Sequence, residues 1–305
     1  MPDVSVVITT RDRPERLSRQ LAALRAQTLA PKRFEVIVVD DGSGPETQSL
    51  LRDAGVRVVR RDVSGGPGAG RNTGWRAASA PLVAFTDDDC EVTPGWLEAH
   101  LAAARANPGA VLQGRVQPLP AEESSFGPFS HTIRNEDLTR GFETANIVYP
   151  RGLLEHLDGF DETFTQSGED TDLAWRAVAS GAPAVFVPDA LVHHAVVQLG
   201  PLGMLRRAAR WHEAPLVYKR HPELRRTLVL RLFWNTRHLE AWALLVALLL
   251  PRRLGLLRAM LAAPYVRRLV VRRSGPLLAP YIVAYDLVEL ATMVRGSLRY
   301  RTLVL

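Results

Sequence analysis

Three consecutive aspartates, Asp87, Asp88 and Asp89, directly follow a short apolar run. Adjacent carboxylates repel one another unless a cation or water relieves the repulsion. Carboxylate oxygens are the ligands that Mg²⁺ and Mn²⁺ prefer, and these ions often join protein carboxylates to a diphosphate. Alternate residues of an extended segment point to the same side, so Asp87 and Asp89 could share one ion. The run predicts a site for a divalent metal and a phosphorylated ligand, with a solvated turn as the alternative.

Two further polar clusters follow apolar runs nearer the start of the chain. Thr9, Thr10 and Arg11 close the first run, and Asp40 and Asp41 close the second. In open α/β sheets, ligands bind beyond the carboxyl ends of the strands. We therefore expect these two clusters and the aspartate run to meet at one edge of a sheet.

Acidic and imidazole side chains in the middle of the chain are candidates for catalysis and metal binding. Glu169 and Asp170 open a predicted helix, whose positive end favours ionised carboxylates, and an ionised carboxylate can act as a base. For Glu169, helix capping is the alternative to a place in a binding pocket. His193 and His194 close a predicted strand, so only one of them should face the site. That histidine could be a third metal ligand beside Asp87 and Asp89, with a histidine that binds no ligand as the alternative.

A glycine-rich segment and two further side chains complete the candidate site. The glycines of residues 65–74 predict a loop that opens into a helix and allows the backbone to approach a phosphate closely, with Arg71 beside it. Their spacing does not match G-x-G-x-x-G, and a plain loop is the alternative. Trp96 and Asn146 are further candidates for the wall of a binding pocket.

The elements that must position these residues are strands alternating with amphipathic helices. The predicted strands of the first part are 4–9, 35–40, 56–60, 82–86 and 111–116, and the predicted helices are 14–27, 46–54, 71–80 and 94–106. This alternation indicates an α/β fold with a Rossmann-like, mostly parallel sheet flanked by helices. Residues 118–140 lack periodicity and predict a mobile loop over the site. Strands and helices resume at 144, and after residue 203 the pattern is helical throughout.

Charge divides the chain into two predicted domains, 1–200 and 201–305. Of the 38 basic and 32 acidic residues, the first domain holds 19 and 27, which leaves 19 and 5 for the second, or a net charge of −8 against +14. Such asymmetry predicts that the second domain meets phosphates or another polyanion. The single cysteine, Cys90, permits no intramolecular disulfide, and we expect a cytoplasmic protein without a secretory leader.

The second domain contains apolar stretches at 242–250 and 277–294. The first is shorter than the ~20 residues that span a bilayer as a helix, and the second is interrupted by proline and acids. We expect basic, apolar helices that lie on an anionic membrane surface, with a helical subdomain packed on the core or in a dimer interface as the alternative. The flanking arginines are Arg206, Arg207, Arg252, Arg253, Arg267, Arg268, Arg272 and Arg273.

Several motifs in order along residues 1–200 resemble the family 2 glycosyltransferases of the GT-A fold. They are the strand Val4 to Thr9, the segment Val38-Val39-Asp40-Asp41-Gly42-Ser43, Gly70-Arg71-Asn72, Thr86-Asp87-Asp88-Asp89, Gly159-Phe160-Asp161-Glu162 and Gly168-Glu169-Asp170-Thr171-Asp172-Leu173. The ordered set is more specific than any of its members. The resemblance does not cover the last third of the chain.

The resemblance implies a role for each matching position. Thr9 and Asp41, with Asp40 beside it, would contact the base and ribose of a nucleotide, and Arg71 would lie near the nucleotide. The pair Asp87 and Asp89 would hold the metal and donor, and Asp170 would be the catalytic base. We assign Thr10, Arg11 and Asp88 to donor binding with them. Because the family tends to carry a histidine in this region, we favour His194 over His193 as the third metal ligand. Trp96 and Asn146, with Glu169, are predicted to line the sugar and acceptor pocket.

The implied activity is a metal-dependent, inverting transfer of a sugar from a nucleotide-diphosphate sugar to a hydroxyl. We expect Mn²⁺ or Mg²⁺ as the cofactor and a glycan or lipid-linked acceptor of the cell envelope, at the inner face of the cell membrane. No nucleic acid partner is expected, and self-association of the chain is left open. One alternative is a sugar-phosphate nucleotidyltransferase, which would require a glycine-rich basic loop after the first strand, whereas Thr9 to Glu15 contain no glycine. The other is a non-catalytic nucleotide-sugar-binding scaffold at a membrane.

Overall fold

A computed structural model describes residues 1–271 and 276–305 of the chain. The chain divides into two compact units, Met1–Gln198 and Leu199–Leu305. Arg272 and Arg273, two of the arginines predicted to meet a membrane, lie outside the described residues.

The first unit alternates strands and helices. Its strands are β1 (Val4–Thr10), β2 (Phe34–Asp41), β3 (Arg57–Arg61), β4 (Leu82–Phe85), β5 (Cys90–Val92), β6 (Val111–Pro118), β7 (Ser130–His131), β8 (Ile147–Pro150), β9 (Ala184–His194) and β10 (Val197–Gln198). Its helices are α1 (Pro14–Arg25), α2 (Pro45–Asp53), α3 (Pro67–Ala77), α4 (Trp96–Ala106), α5 (Arg151–His156) and α6 (Glu169–Ala179).

The described residues form one large sheet with the strand order β3-β2-β1-β4-β8-β6-β9-β5. Strands β3, β2, β1 and β4 are parallel neighbours, as are β6 and β9. Strand β8 runs antiparallel to both β4 and β6, and β5 runs antiparallel to β9. The predicted α/β architecture is confirmed, and the sheet is mixed, with its purely parallel part in residues 1–85.

The sheet is buried on both faces, because helices pack on each side of it. On β1, Val6 and Ile8 contribute to one apolar core and Val7 to the other. Helix α1 begins at Pro14, whose missing N–H costs nothing in the first turn, and it buries Leu17 among other leucines on one face. A strand that is buried on both faces and fixed between parallel neighbours is a rigid support for the residues at its end.

Helix α3 begins at Pro67, four residues earlier than the sequence predicts, so most of the glycine-rich segment is helical rather than a loop. A Cβ atom on Gly74 would lie 2.3 Å from Val7 Cγ1, and one on Gly70 would lie 2.5 Å from Thr9 Cγ2. The glycines therefore allow α3 to pack directly on β1, which is the role that the phosphate-loop prediction missed.

The segment 118–140 is held by hydrogen bonds, in contrast to the mobile loop that its composition predicts. Asn135 forms a bridge with Val116 of β6, in which the amide N of Asn135 donates to the Val116 carbonyl at 2.9 Å. The carboxylate of Glu122 accepts from the amide of Val196 at 2.9 Å, and β7 pairs with β10. Side-chain anchors of this kind carry no apolar periodicity, so the sequence pattern does not indicate them.

The second unit is helical in its described residues, and this confirms the predicted helical extension. Its helices are α7 (Gly200–Ala209), α8 (Ala214–Arg220), α9 (Thr236–Leu249), α10 (Gly255–Val271) and α11 (Ala279–Tyr300). Arg237 on α9 donates to Asp286 at 2.7 Å and to Glu289 at 2.8 Å on α11, and both acids are buried. Within the described residues, none of the helices has the length and apolarity needed to cross a membrane.

Candidate functional site

Parallel pairing brings the predicted polar clusters to one edge of the sheet. Thr10 of β1 lies in register with Asp40 of β2, and Val7 of β1 lies in register with Phe85 of β4. The carboxyl ends of these three strands are therefore neighbours, and the aspartate run that follows β4 joins them. We call this edge the acidic rim: Thr9 to Arg11, Asp40, Asp41 and Asp87 to Asp89.

The two aspartates of β2 are paired with two arginines of β3. The register places Asp40 opposite Arg60 and Asp41 opposite Arg61. Arg60 bonds to the Asp40 carboxylate, and Arg61 Nε donates to Asp41 at 2.8 Å. Both aspartates are buried, so these charge-assisted bonds fix the direction of each carboxylate. Sequence analysis missed the arginines, although their position at the end of the neighbouring strand was a usable signal.

Arg71 joins the acidic rim to the start of α6. Its guanidinium donates to Asp87 at 3.0 Å and to Glu169 at 2.7 Å. Burial disfavours the charged guanidinium, but attraction to Asp87 and Glu169 outweighs that cost, so the pKa of Arg71 is raised. The bridge carries a permanent positive charge to the centre of the site, and the close packing of α3 on β1 places it there.

Asp88 is the buried member of the aspartate run, and it shares Arg13 with Asp89. Its carboxylate accepts from the Thr10 hydroxyl at 2.8 Å and from Arg13 at 3.0 Å. Burial raises the pKa of Asp88 to about 6, against the opposing charge of Arg13. Asp88 and Thr10 thus bind each other, and the contact with a donor that we expected of both stays a prediction.

Asp89 faces His194, and the two present the geometry of a metal site. The Nε2 atom of His194 lies 3.5 Å from Asp89 Oδ1. The Nδ1 atom of His194 lies 2.8 Å from the carbonyl oxygen of Ala195, which can only accept, so Nδ1 carries the proton. In the neutral ring, Nε2 then directs a lone pair towards the carboxylate. Two acceptor atoms that face each other are stabilised by a cation between them.

Strand pairing explains why His194, and not His193, reaches this position. In the antiparallel pair of β5 and β9, His194 lies opposite Cys90 and His193 lies opposite Glu91. Alternate side chains of a strand point to opposite faces. His194 is buried beside Asp89, as the sequence predicts for one member of the pair.

The donor atoms present fit a divalent ion held by oxygen and imidazole. Asp89, Cys90 and His194 each offer an atom within 4.8 Å of the others. Burial raises the pKa of the Cys90 thiol, with the charges of Asp87 and Asp89 acting in the same direction, so the thiol stays protonated and is a poor ligand. Arg13 donates to the other carboxylate oxygen, Asp89 Oδ2, at 2.9 Å, and Oδ1 is the oxygen that faces His194.

Asp170 is the second residue of α6 and lies beside the Arg71 bridge. Its Oδ1 atom accepts from the amide of Thr171 at 2.8 Å. Asp170 retains some exposed surface, but withdrawal of the carboxyl from bulk water raises its pKa, and the charge of Glu169 raises it further, against the attraction of Arg71. Burial and the neighbouring acid therefore oppose the stabilisation of an ionised carboxylate that we expect from the helix end.

Trp96 and Asn146 lie in the interior rather than on a pocket wall. Both are fully buried. The indole N–H of Trp96 donates to the Asn146 carbonyl oxygen at 2.8 Å, and the Asn146 amide donates to the backbone carbonyls of Arg115 and Ala190. This network ties α4 to β6 and β9, so the predicted sugar or acceptor pocket does not include these two side chains.

Three further sequence-predicted residues have distinct surroundings. Arg11 is exposed, at the outer end of the acidic rim. The Thr9 hydroxyl is buried against α3 and has no hydrogen-bond partner within the described residues. Glu169 is buried, and its second carboxylate oxygen likewise has no partner in that part of the chain. The tie of Glu169 to Arg71 replaces the capping role considered from the sequence.

Sequence comparisons match two family descriptions to the chain. Residues 5–153 match Glycosyl transferase family 2, and residues 82–288 match Glycosyl transferase family group 2. The validoxylamine A glucosyltransferase of Streptomyces hygroscopicus subsp. limoneus is 33% identical over 223 residues, which cover 60% of this chain and 49% of that protein. The pre-mycofactocin glycosyltransferase of Mycobacterium tuberculosis strain H37Rv is 33% identical over 207 residues, with 63% and 42% covered. The chain spans about half the length of these curated relatives.

A structural comparison agrees with the fold. A mannosyltransferase from Pyrobaculum calidifontis, solved in complex with GDP-Man and Mn²⁺, superposes with a TM-score of 0.67 at 20% identity, over 98% of this chain and 87% of that one. At this identity the structural likeness supports the GT-A fold alone. The family matches run from β1 into the second unit, and they show that the chain belongs to the family 2 glycosyltransferases.

Proposed function

We propose that this protein transfers a sugar from a nucleoside-diphosphate sugar to an acceptor hydroxyl, with the help of Mn²⁺ or Mg²⁺. The observation that carries the proposal is the Arg71 bridge, which connects Asp87 of the acidic rim to Glu169, the neighbour of Asp170. The bridge thereby links the surroundings of Asp170, whose carboxylate is suited to accept a proton, with the acidic rim, where a diphosphate would bind.

The donor would lie along the acidic rim. Asp40 and Asp41, oriented by Arg60 and Arg61, are suited to accept hydrogen bonds from a base and ribose. Thr9 would contact the base and ribose with them, and Arg71 and Arg11 would lie near the nucleotide. The Pyrobaculum mannosyltransferase was solved with GDP-Man, which supports a nucleotide-sugar donor for this chain too.

Asp89 and His194 would hold the divalent ion, and Asp87 would share in holding the ion and the donor. When bound, the ion would stabilise the negative charge of the departing diphosphate. The Mn²⁺ of the Pyrobaculum structure supports a divalent metal, and carboxylate oxygens suit both Mn²⁺ and Mg²⁺.

Asp170 would act as the base. The acceptor hydroxyl gives its proton to the Asp170 carboxylate, its oxygen bonds to the anomeric carbon, and the bond to the diphosphate breaks with both electrons leaving on the diphosphate. Attack opposite the leaving group inverts the configuration at this carbon. Glu169, held by Arg71, would keep Asp170 in place.

The acceptor would belong to cell-envelope glycan or glycolipid synthesis, at the inner face of the cell membrane. The charge of the second unit supports this, because an excess of arginine suits a phosphate-rich surface or a lipid-linked acceptor. Family membership argues against the sugar-phosphate nucleotidyltransferase alternative, and the turn after β1 contains no glycine up to Glu15.

A panel of nucleoside diphosphates with and without Mn²⁺ tests the proposal. One of them at about 100 times its dissociation constant should raise the free energy of unfolding by about 2.7 kcal/mol, and only with metal. The matching nucleotide sugar should then release its nucleoside diphosphate in the presence of an acceptor. Failure of every nucleotide to stabilise the protein would contradict donor binding, whereas stabilisation without turnover on any acceptor would favour the scaffold alternative.

A further inference from the structure

The second unit contains a helical hairpin whose tip is unusually apolar and exposed. Helices α9 and α10 form the hairpin, and we call residues 248–257 the hairpin tip. Leu249 is 86% exposed and Leu256 is 80% exposed, and four other large apolar side chains on or beside the tip are exposed as well. These four are Leu248, Leu254, Leu257 and Met260. Contiguous exposed apolar side chains of this kind mark an interaction surface.

The base of the hairpin is anchored in the second unit. Ala241 of α9 and Tyr265 of α10 are buried in one apolar cluster with Leu290 of α11. The Tyr265 hydroxyl also donates to Asp286 at 2.9 Å, and Arg268 is ion-paired with Glu240. The hairpin is therefore held firmly at its base, and the leucines at its tip are not needed to hold it.

The charge around the tip has one sign. Residues 241–285 contain seven arginines and no aspartate or glutamate. Arg252 and Arg253 are exposed and lie within the tip, between Leu249 and Leu256. A second copy of this chain would bring the same arginines against this surface, and like charges oppose that contact. The occupant should instead be negatively charged and able to receive leucines without a preformed pocket.

An anionic lipid membrane meets both requirements. We propose that the hairpin tip docks into the headgroup region of an anionic bilayer, with its leucines entering the acyl boundary and Arg252 and Arg253 binding lipid phosphates. Apolar side chains next to arginines bind such interfaces through buried area and charge together. This inference rests on the membrane location in the proposed function and adds the surface that makes the contact.

Flotation of the full chain with lipid vesicles tests the proposal. The protein should float with vesicles of equal parts phosphatidylcholine and phosphatidylglycerol, and not with vesicles of phosphatidylcholine alone. High salt should weaken binding, because the arginines act through screened charge. The double variants L249S/L256S and R252E/R253E should each lower the fraction bound at least about tenfold.

Matched variants in the same unit provide the control. Leu202 and Leu298 are 69% and 75% exposed and lie outside the hairpin, as do the exposed Arg226 and Arg295. L202S/L298S should float like the unchanged protein, and R226E/R295E should lose less binding than R252E/R253E despite an equal change in net charge. Because all the substituted side chains are exposed, each variant should unfold at the temperature of the unchanged protein.

Three results would overturn the proposal: no flotation with anionic vesicles, equal loss in the hairpin and control variants, or a dimer in sedimentation that L249S/L256S dissociates. Nucleoside-diphosphate stabilisation, measured on the same preparations, keeps this test separate from that of catalysis. The hairpin variants should still be stabilised by a nucleoside diphosphate. A variant that no longer floats but still binds the nucleotide has therefore lost only the membrane contact of the hairpin.

Discussion

His194 Nε2 and Asp89 Oδ1 face each other at 3.5 Å, while the other ring nitrogen of His194 is held by the carbonyl of Ala195. The substitution H194A should therefore weaken Mn²⁺-dependent stabilisation by a nucleoside diphosphate, with a loss of metal affinity of at least about tenfold. Thermal unfolding over a series of Mn²⁺ concentrations measures this. H193A is the matched control, since His193 points to the other face of β9, and equal effects of the two substitutions would argue against the site.

Asp170→Asn removes the proposed base and keeps the shape of the side chain. Sugar transfer should fall by about 10²–10⁴-fold with nucleotide binding retained, because the asparagine amide cannot take up the proton of the acceptor hydroxyl. Single-turnover kinetics and thermal shift on the same protein measure the two effects. The exposed Asp189 on β9 supplies a control, D189N, which should leave both unchanged. Undiminished turnover in D170N would exclude Asp170 as the base.

The raised pKa of Asp170 predicts how activity depends on pH. A base works only when ionised, so kcat/KM should fall on the acid side at a pH above the ordinary carboxyl value of about 4. Burial is the larger cause of the raised pKa and the charge of Glu169 the next. E169Q should therefore move the acid limb of the pH profile to lower pH, and a shift to higher pH would contradict this electrostatic account.

The pKa of Asp88 predicts a pH dependence of stability in metal-free protein. Folded Asp88 keeps its proton up to a pH of about 6, whereas the unfolded chain releases it near 4. The folded state thus binds more protons between these values, and the free energy of unfolding should decrease as the pH rises through them, by on the order of 2 kcal/mol. Urea unfolding with a chelator present measures this. D88N should lack this component, and an identical pH profile in D88N would disprove it.

The close packing of α3 on β1 predicts a cost for adding one methyl group. A Cβ at position 74 would meet Val7 at 2.3 Å, so G74A should lower the free energy of unfolding by about 1–3 kcal/mol. G152A in α5 is the control, because nothing lies within 4 Å of that position, and alanine is the better helix former. Urea unfolding midpoints should move in opposite directions for the two variants.

Much of the fold follows from the sequence, because alternating apolar patterns and β-branched residues indicate β1 to β4 within one or two residues. Parallel connections then bring Asp40 and Asp87 to the same edge, so the acidic rim could be inferred before its geometry was known. The selection of one histidine from two follows from strand alternation in the same way. These inferences depend only on periodicity and topology.

The remainder depends on what lies opposite a residue in space. From the sequence, Gly74 is predicted to belong to a phosphate-binding segment, and only the structure shows that it lies against Val7. Trp96 is likewise predicted to line a pocket, and only the structure shows its hydrogen bond to Asn146 in the interior. The three-residue strand β5 is too short for a periodic signal. Arg60 and Arg61 could have been found from the register of β3 against β2, whereas the bridge from Arg71 to Glu169 joins positions 98 residues apart and has no local signal.

The three aspartates in the four-residue segment between Phe85 of β4 and Cys90 of β5 have different partners in the unit, apart from Arg13, which Asp88 and Asp89 share. Asp87 meets Arg71 of α3, Asp88 meets Thr10 of β1, and Asp89 faces His194 of β9. Lengthening or shortening this segment by one residue would shift the aspartates relative to their partners, so that each partner would face a different carboxylate even if three aspartates remained. Its length is thus as tightly constrained as its composition, and relatives that conserve this arrangement should show no gaps here.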